Sequence, residues 1–439
     1  MEKLSRLKVL DSIRCFVILV LVFSSTLDVM SQELMPEQQA WLSQYYGRWL
    51  STASVNSDMI DEHNCIEVIA KPHMDAKAMQ VDVFSIKDGQ KQGILSELLV
   101  YDTVSEQIIA LGQNDEGQSF IGKGKFQNRH RLTMLDKNID GKPIMEVDFN
   151  FINPTEVILK GKALDTSTHD WEIKYIKQNN PIKEIGIQLV SVRELMLENL
   201  KETLNILGRM GFSYVETFVF DGNGFYGMSP LAFKNLVEEC GLQFKGSMVF
   251  KDLPPVKEMN ATMEWWQNCI NKHQEAGVEF ITTSNNRVHE LKSEYDLKRL
   301  CDYYNTIGEL CAAKDIQFAI HNHTEEFGRV DGHVIYDYLL QNTNPQFVSF
   351  QVDLYWIREA KQNAIDYFEK YPGRFFSWHT KDDAELSKSG KTDFEQLFQY
   401  AEQSGLKYNV FEIEQFNFHP FISINMGLNY LFEADFVQD

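Results

Sequence analysis

The sequence predicts two barrels in series: an antiparallel β-barrel over residues 38–178, then an α/β barrel of the TIM type over residues 182–437. Three observations lead there. The earlier stretch is a succession of short alternating segments separated by turn residues. The later stretch passes eight times from an apolar strand segment to an amphipathic helical one. Four of those strand segments end in a His, Asp or Glu.

A chain of 439 residues suits two or three domains and a sizeable core. Its formal net charge of -21 argues against nucleic acid or an anionic membrane as the main partner. At the N-terminus, Lys3, Arg6, Lys8 and Arg14 precede an apolar run from Phe16 to Phe23. Small residues (Ser24, Ser25, Ser31) follow, just before Gln32. This pattern predicts a secretory signal peptide over residues 1–31, hence an exported protein, periplasmic or secreted. The run falls short of the roughly 20 apolar residues of a membrane span. Stable membrane insertion is therefore not expected after signal removal, and an uncleaved anchor is the alternative. Cys65, Cys240, Cys269, Cys301 and Cys311 have irregular spacing and no CxxC pair, so they read as small core residues.

Within residues 38–178 the cleanest strand is Met145 to Phe151, apolar at odd positions and polar at even ones. That period of two marks a strand with one face buried. Gln80–Ile86, Ile94–Tyr101, Gln107–Leu111, Ser119–Phe126, Glu156–Lys160 and Trp171–Ile176 read similarly. Turns are expected at Asp88-Gly89, Asp115-Glu-Gly117 and Asp140-Gly141. Many short strands at close spacing predict an antiparallel barrel or sandwich. The opening Tyr46-Gly-Arg-Trp49 resembles the Gly-x-Trp start of lipocalin and fatty-acid-binding-like barrels. His63 and His73 read as surface residues, and the domain as an accessory one. Lys177-Gln-Asn-Asn-Pro181 marks the boundary.

Beyond it, strands are expected to open near 184, 214, 244, 278, 316, 347, 375 and 409. The intervening helices include Arg193–Met210, Pro230–Cys240, Met263–Ala276 and Tyr295–Lys314, with Gly211, Gly241 and Gly277 as stops. Eight such units match the size of a TIM barrel. An open doubly wound sheet is disfavoured because no Gly-rich phosphate fingerprint follows the first strand. In a TIM barrel the active site lies at the C-terminal ends of the strands. His321, Asp353, His379 and Glu414 would all face that mouth.

Two imidazoles and two carboxylates form a mixed N/O set suited to Mn, Co, Zn or Fe. A metal so held can polarise a carbonyl and acidify the adjacent C–H. Singly, each residue has a plainer reading: His321 as a hydrogen-bonded core histidine, Asp353 as a helix cap, His379 in a surface loop with Lys381 and Asp382. Four at consecutive strand ends favour one shared site. Glu412 faces the same side as Glu414, and Glu414 is preferred as the later position.

Residues 182 to about 435 resemble the sugar phosphate isomerase/epimerase superfamily, the xylose-isomerase-like TIM barrels. The resemblance rests on Ile185-Gly-Ile-Gln-Leu, Gly211 to Glu216, Asn305 with Gly308, His321-Asn-His-Thr-Glu-Glu-Phe327, Val352-Asp-Leu-Tyr-Trp356, Tyr371-Pro-Gly-Arg374, His379-Thr-Lys-Asp382 and Glu414-Gln415, in that order. It implies a divalent metal on His321, Asp353, His379 and Glu414. It also implies proton transfer by Glu414, His321 or Lys381, and substrate contacts from His323, Glu216 and Trp356. His321 stands where many relatives carry one of two facing glutamates, and Met248 where many carry a His. The expected function is an exported metal-dependent carbohydrate isomerase or epimerase acting beside a carbonyl. The alternatives are a sugar dehydratase or lyase, a keto-glycoside-cleaving enzyme, or a non-catalytic carbohydrate-binding protein. Nothing near the motifs looks like a phosphate clamp, so the expected small-molecule partner is a free or oxidised sugar or a cyclitol.

Overall fold

The structure, a computed structural model, describes residues 35–54, 64–74, 76–166, 169–178, 183–284, 287–388 and 390–438. The expected signal peptide and His63 lie outside the described residues. No helix among the described residues is long and apolar enough to cross a membrane.

The first domain is a closed antiparallel barrel of ten strands. They are β1 (Gly47–Ser54), β2 (Asn64–His73), β3 (Ala78–Lys87), β4 (Gln90–Asp102), β5 (Gln107–Asn114), β6 (Ser119–Asn128), β7 (Arg131–Asn138), β8 (Pro143–Asn153), β9 (Glu156–Ala163) and β10 (Trp171–Lys177). Each pairs with its neighbours in sequence, and β10 closes on β1. Val147, Phe149 and Phe151 of β8 point inward, as their alternation requires. Three strands are not apparent from the alternation, of which β1 is marked only by its opening Gly-x-Trp. In β2, Cys65 to Ala70 is nearly continuously apolar and Pro72 sits near the end. In β7, Leu132 and Met134 are buried but the next position in that alternation is Asp136. One end of the barrel is plugged by helix α1 (Glu37–Ser43) and the residues after it, with Leu42, Tyr45 and Tyr46 buried. Trp49 is fully buried, and its indole N–H donates to the Tyr45 carbonyl at 2.8 Å.

The second domain is a closed barrel of eight parallel strands. They are β11 (Ile185–Gln188), β12 (Tyr214–Thr217), β13 (Gln243–Met248), β14 (Phe280–Thr283), β15 (Gln317–His321), β16 (Val348–Asp353), β17 (Ser377–Thr380) and β18 (Tyr408–Phe411). All eight fall where the sequence places them. Gly211 and Gly277 end their helices with φ of 114° and 70°, a conformation that favours glycine. The expected single helix 193–210 is broken at Asn199, whose side chain accepts from the Glu202 N–H and starts a new helix. Inside the barrel, Tyr214, Phe280, Ala319, Phe376 and Val410 form an apolar floor. Gly186 and Gly246 make room for it, since a Cβ on either would lie 2.1 Å from the Tyr214 ring or 2.2 Å from the Phe280 ring. Polar side chains stack above this floor, toward the C-terminal ends of the strands.

The two barrels meet through α1 and the C-terminal helix Pro420–Glu433. Lys177 is buried at this junction, and its Nζ donates to the Gln44 carbonyl (3.3 Å) and to Asn425 Oδ1 (3.1 Å). It also lies 4.8 Å from the centre of the Trp49 ring. Asn425 donates in turn to the Ser43 carbonyl at 3.0 Å. Burial pulls the Lys177 amine from its ordinary 10.5 down to about 7. Between those values the unfolded chain binds the extra proton, so this group makes stability rise with pH across that window. Its contribution is at most about 1.4 kcal/mol per pH unit. Urea midpoints of wild type and Lys177→Met, compared at neutral and alkaline pH, are expected to diverge in that sense, wild type gaining on the variant. Parallel curves would remove the buried charge from the account.

Candidate active site

The polar layer is built around Glu216, at the end of β12, which has no exposed surface. Three side chains donate to its carboxylate: Thr282 Oγ1 at 2.7 Å, Gln351 Nε2 at 3.0 Å and His379 Nε2 at 2.9 Å. All come from inward positions of other strands, β14, β16 and β17. Gln351 also donates to Ser377 Oγ at 3.0 Å, and its carbonyl oxygen lies 3.0 Å from His321 Nδ1.

Above Glu216, His321, Asp353 and His379 bring one ligand-type atom each within 4.8 Å of one another, and all three are buried. Asp353 has two roles. Its Oδ1 accepts the backbone N–H groups of Tyr355 and Trp356, both at 2.9 Å, and so caps helix Leu354–Glu359. Its Oδ2 is buried with no hydrogen-bond partner. His379 Nδ1 is 3.8 Å from that oxygen. Glu412 Oε2 lies 2.6 Å from the same nitrogen and pairs with it.

Strand β18 stops at Phe411, so Glu412 occupies the first inward position beyond it. Glu414 lies further out, partly exposed, and is bonded to Lys381 Nζ. The structure therefore gathers three of the four expected ligands and places Glu412, rather than Glu414, beside them. Lys381 Nζ also contacts Glu412 Oε1 at 2.8 Å and lies 3.8 Å from Asp353 Oδ2. Asp382 is not its partner, because that carboxylate is bonded to Arg358. Trp356 is half-buried, with Lys381 Nζ 4.9 Å from its ring centre. His323 packs edge-on to it at 5.7 Å, its Nδ1 3.1 Å from Ser284 Oγ. Glu216, expected to touch substrate, lies instead beneath His379, out of reach of the mouth.

Electrostatics follows from burial and crowding. Burial works against the His379 imidazolium, but Glu412 and Glu216 outweigh it and hold its pKa at about 10. Burial also disfavours the Lys381 ammonium, yet Glu412, Glu414 and Asp353 keep it charged. Burial, with His379 and His323 nearby, pushes His321 well below the usual range. Burial and Lys381 bring His323 to about 4. Burial raises Asp353, and Lys381 only partly opposes it. Four carboxyl groups, Glu216, Asp353, Glu412 and Glu414, thus crowd around two basic groups, Lys381 and His379.

At the opposite end of the strands, a cleft of about 360 Å³ is lined by Glu279, Gln317, Lys407 and Tyr408. Among the described residues, the His and Asp metal-type group lies only at the C-terminal mouth.

The chain matches known proteins along this second barrel. The family model described as xylose isomerase-like TIM barrel matches residues 204–434, more than half of the chain. No curated protein matches. Two solved structures from Parabacteroides distasonis ATCC 8503, each described as a sugar phosphate isomerase/epimerase, are similar. The first is 26% identical, with a TM-score of 0.55, and the match covers 58% of this chain and 100% of that one. The second is 25% identical, with a TM-score of 0.54, and the match covers 60% and 98%. The eight-stranded barrel, its polar mouth and the family match agree: the chain belongs to the xylose isomerase-like TIM barrel family.

Proposed function

We propose that this protein is an exported, metal-dependent carbohydrate isomerase or epimerase that begins by removing a proton next to a carbonyl. The observation that carries the reading is the buried Asp353 Oδ2, which has no hydrogen-bond partner, in a cluster with His321, His379 and Glu412. Unpaired buried polar atoms are costly, and excess buried negative charge more so. A divalent cation satisfies both, and the N/O donor set suits it. His321, Asp353, His379 and Glu412 would hold it, with the far nitrogens of both imidazoles already held by Gln351 and Glu216. Bound there, the metal would polarise a substrate carbonyl and acidify its neighbouring C–H.

The rest belongs to the chain's own side chains. Glu414, partly exposed at the mouth, takes the proton. The Lys381 ammonium, held beside it, donates a hydrogen bond to the developing enolate oxygen. Return of the proton from Glu414 to the neighbouring carbon, with the hydroxyl proton there passing to the original carbonyl oxygen, gives the isomer, and reprotonation by water from the other face gives the epimer. Neutral His323 binds a hydroxyl, and Trp356 covers one face of the substrate. The crowded carboxylates repel a phosphate dianion, which favours an uncharged sugar or keto-sugar. The basic and then apolar pattern of residues 1–31 supports export.

Metal analysis of the purified protein is expected to give one divalent ion per chain. Incubation with a panel of sugars and keto-sugars in deuterated water should then exchange one carbon-bound proton, visible by NMR. A metal-free protein that still binds sugar would sink the reading, and loss of water from the substrate would turn it to elimination. Lys381→Met and Glu414→Gln should slow exchange by about 10²-fold or more while the metal stays bound. Glu412→Gln should lose the metal.

Asp353→Asn separates the two roles of that residue. The amide oxygen can still cap the helix, so the metal-free variant should melt no lower than metal-free wild type, whereas Asp353→Ala should lose about 1 kcal/mol. Both should lose metal. Retention of full affinity in Asp353→Asn would remove Asp353 from the ligand set.

A further inference from the structure

We infer that Gln351 is a positioning residue that sets the tautomer of His321 and, through Glu216, links it to His379. The deduction needs only donors and acceptors. The Glu216 carboxylate accepts from Thr282, His379 and Gln351, so the Gln351 amide must turn its NH₂ toward it. The second amide hydrogen has Ser377 Oγ as its acceptor. The Gln351 carbonyl oxygen therefore faces His321 Nδ1, and a carbonyl can only accept. His321 must carry its proton on Nδ1, leaving the Nε2 lone pair free. Reversing the amide would set its oxygen against the Glu216 carboxylate.

The same layer treats both imidazoles alike. His379 gives its Nε2–H to Glu216 and turns Nδ1 toward Glu412 Oε2 and Asp353 Oδ2. His321 gives its Nδ1–H to Gln351. Gln351, Glu216 and His379 have no exposed surface, and His321 almost none, so water cannot replace these partners. His321 thus presents a bare Nε2 in the tautomer that a free imidazole disfavours, whereas His379 keeps Nε2–H for Glu216 and turns Nδ1 toward the carboxylates of Asp353 and Glu412. Gln351 stands two residues before Asp353 on the same inward face of β16, so one short strand supplies both the orienting amide and the carboxylate.

The test uses the purified full chain carrying isotope-labelled histidine. Long-range proton–nitrogen spectra tell the tautomers apart, and a His321→Gln variant assigns the signal. Wild-type His321 is expected to be the Nδ1–H form, and an Nε2–H form would overturn the inference outright. Gln351→Met should lose the single tautomer and bind divalent metal 10- to 100-fold more weakly by calorimetry. Gln351→Glu should keep the Nδ1–H form, since one carboxyl oxygen still accepts from His321 while the other must share a proton with Glu216. A Gln351→Met protein that folds and keeps the wild-type tautomer would also overturn it. If that variant fails to fold, the wild-type spectrum and Gln351→Glu still decide. The affinity measurement rests on the metal-dependent reading above and the tautomer measurement does not. Wild type without metal affinity but with Nδ1–H His321 would therefore reject that reading and keep this inference.

Discussion

A carboxylate with no access to water governs the second barrel. Glu216 sits at the boundary between an aromatic floor and a polar mouth, and burying it is tolerable only because three donors converge on it. Each donor comes from a different strand, so the requirement ties β14, β16 and β17 to β12 at one height. The floor below matters equally. Tyr214, Phe280 and Phe376 fill the barrel and keep water from reaching the carboxylate from behind. Removing water strengthens every charge interaction above the floor, which is why the mouth can hold an imidazole and an ammonium among four acids.

Much of this was legible from the residues alone, for a reason that also explains what was not. His321, Asp353 and His379 are chemistry-bearing types at the ends of apolar runs, and in a parallel barrel strand ends converge whatever their separation in sequence. Glu412 and Glu414 share a face, so alternation could not choose between them. The choice depended on where the strand stops, and it stops at Phe411. Gln351 carried no signal as a residue type, since a neutral amide inside an apolar run reads as an interruption. Its position two before Asp353 could have placed it on the inward face. Glu216 had the right chemistry but the wrong height, because nothing in Tyr214-Val-Glu-Thr217 says how deep the site lies.

The first barrel shows the same limit in β form. Alternation found β8 because one face is uniformly apolar. It missed β7, where Asp136 takes an inward position and burial pushes its carboxyl up to about 6. Glu97 on β4 is a second inward acid, raised to about 8 by burial and by Asp136. The domain is not an independent bead on a string. Lys177, Trp49 and Asn425 lock its plugged end to the helix that follows the Glu414 loop, and Arg209 reaches Glu156 across the junction at 2.9 Å. The first barrel therefore braces the segment that carries the last acids of the mouth.

That bracing bears on the chemistry. Lys381 is pulled between Asp353 and Glu412 on one side and Glu414 on the other. A divalent cation settling by Asp353 Oδ2 and His379 Nδ1 would compete with the ammonium for Asp353 and Glu412 and leave Glu414 as its remaining partner. The two inner carboxylates would then belong to the cation and the outer ion pair to the substrate. Metal binding would also require His379 to give up its Nδ1 proton while keeping the Nε2–H that Glu216 accepts. The buried layer thus allots each imidazole one nitrogen for the fold and one for the site, and the mouth does its chemistry with what the fold leaves free.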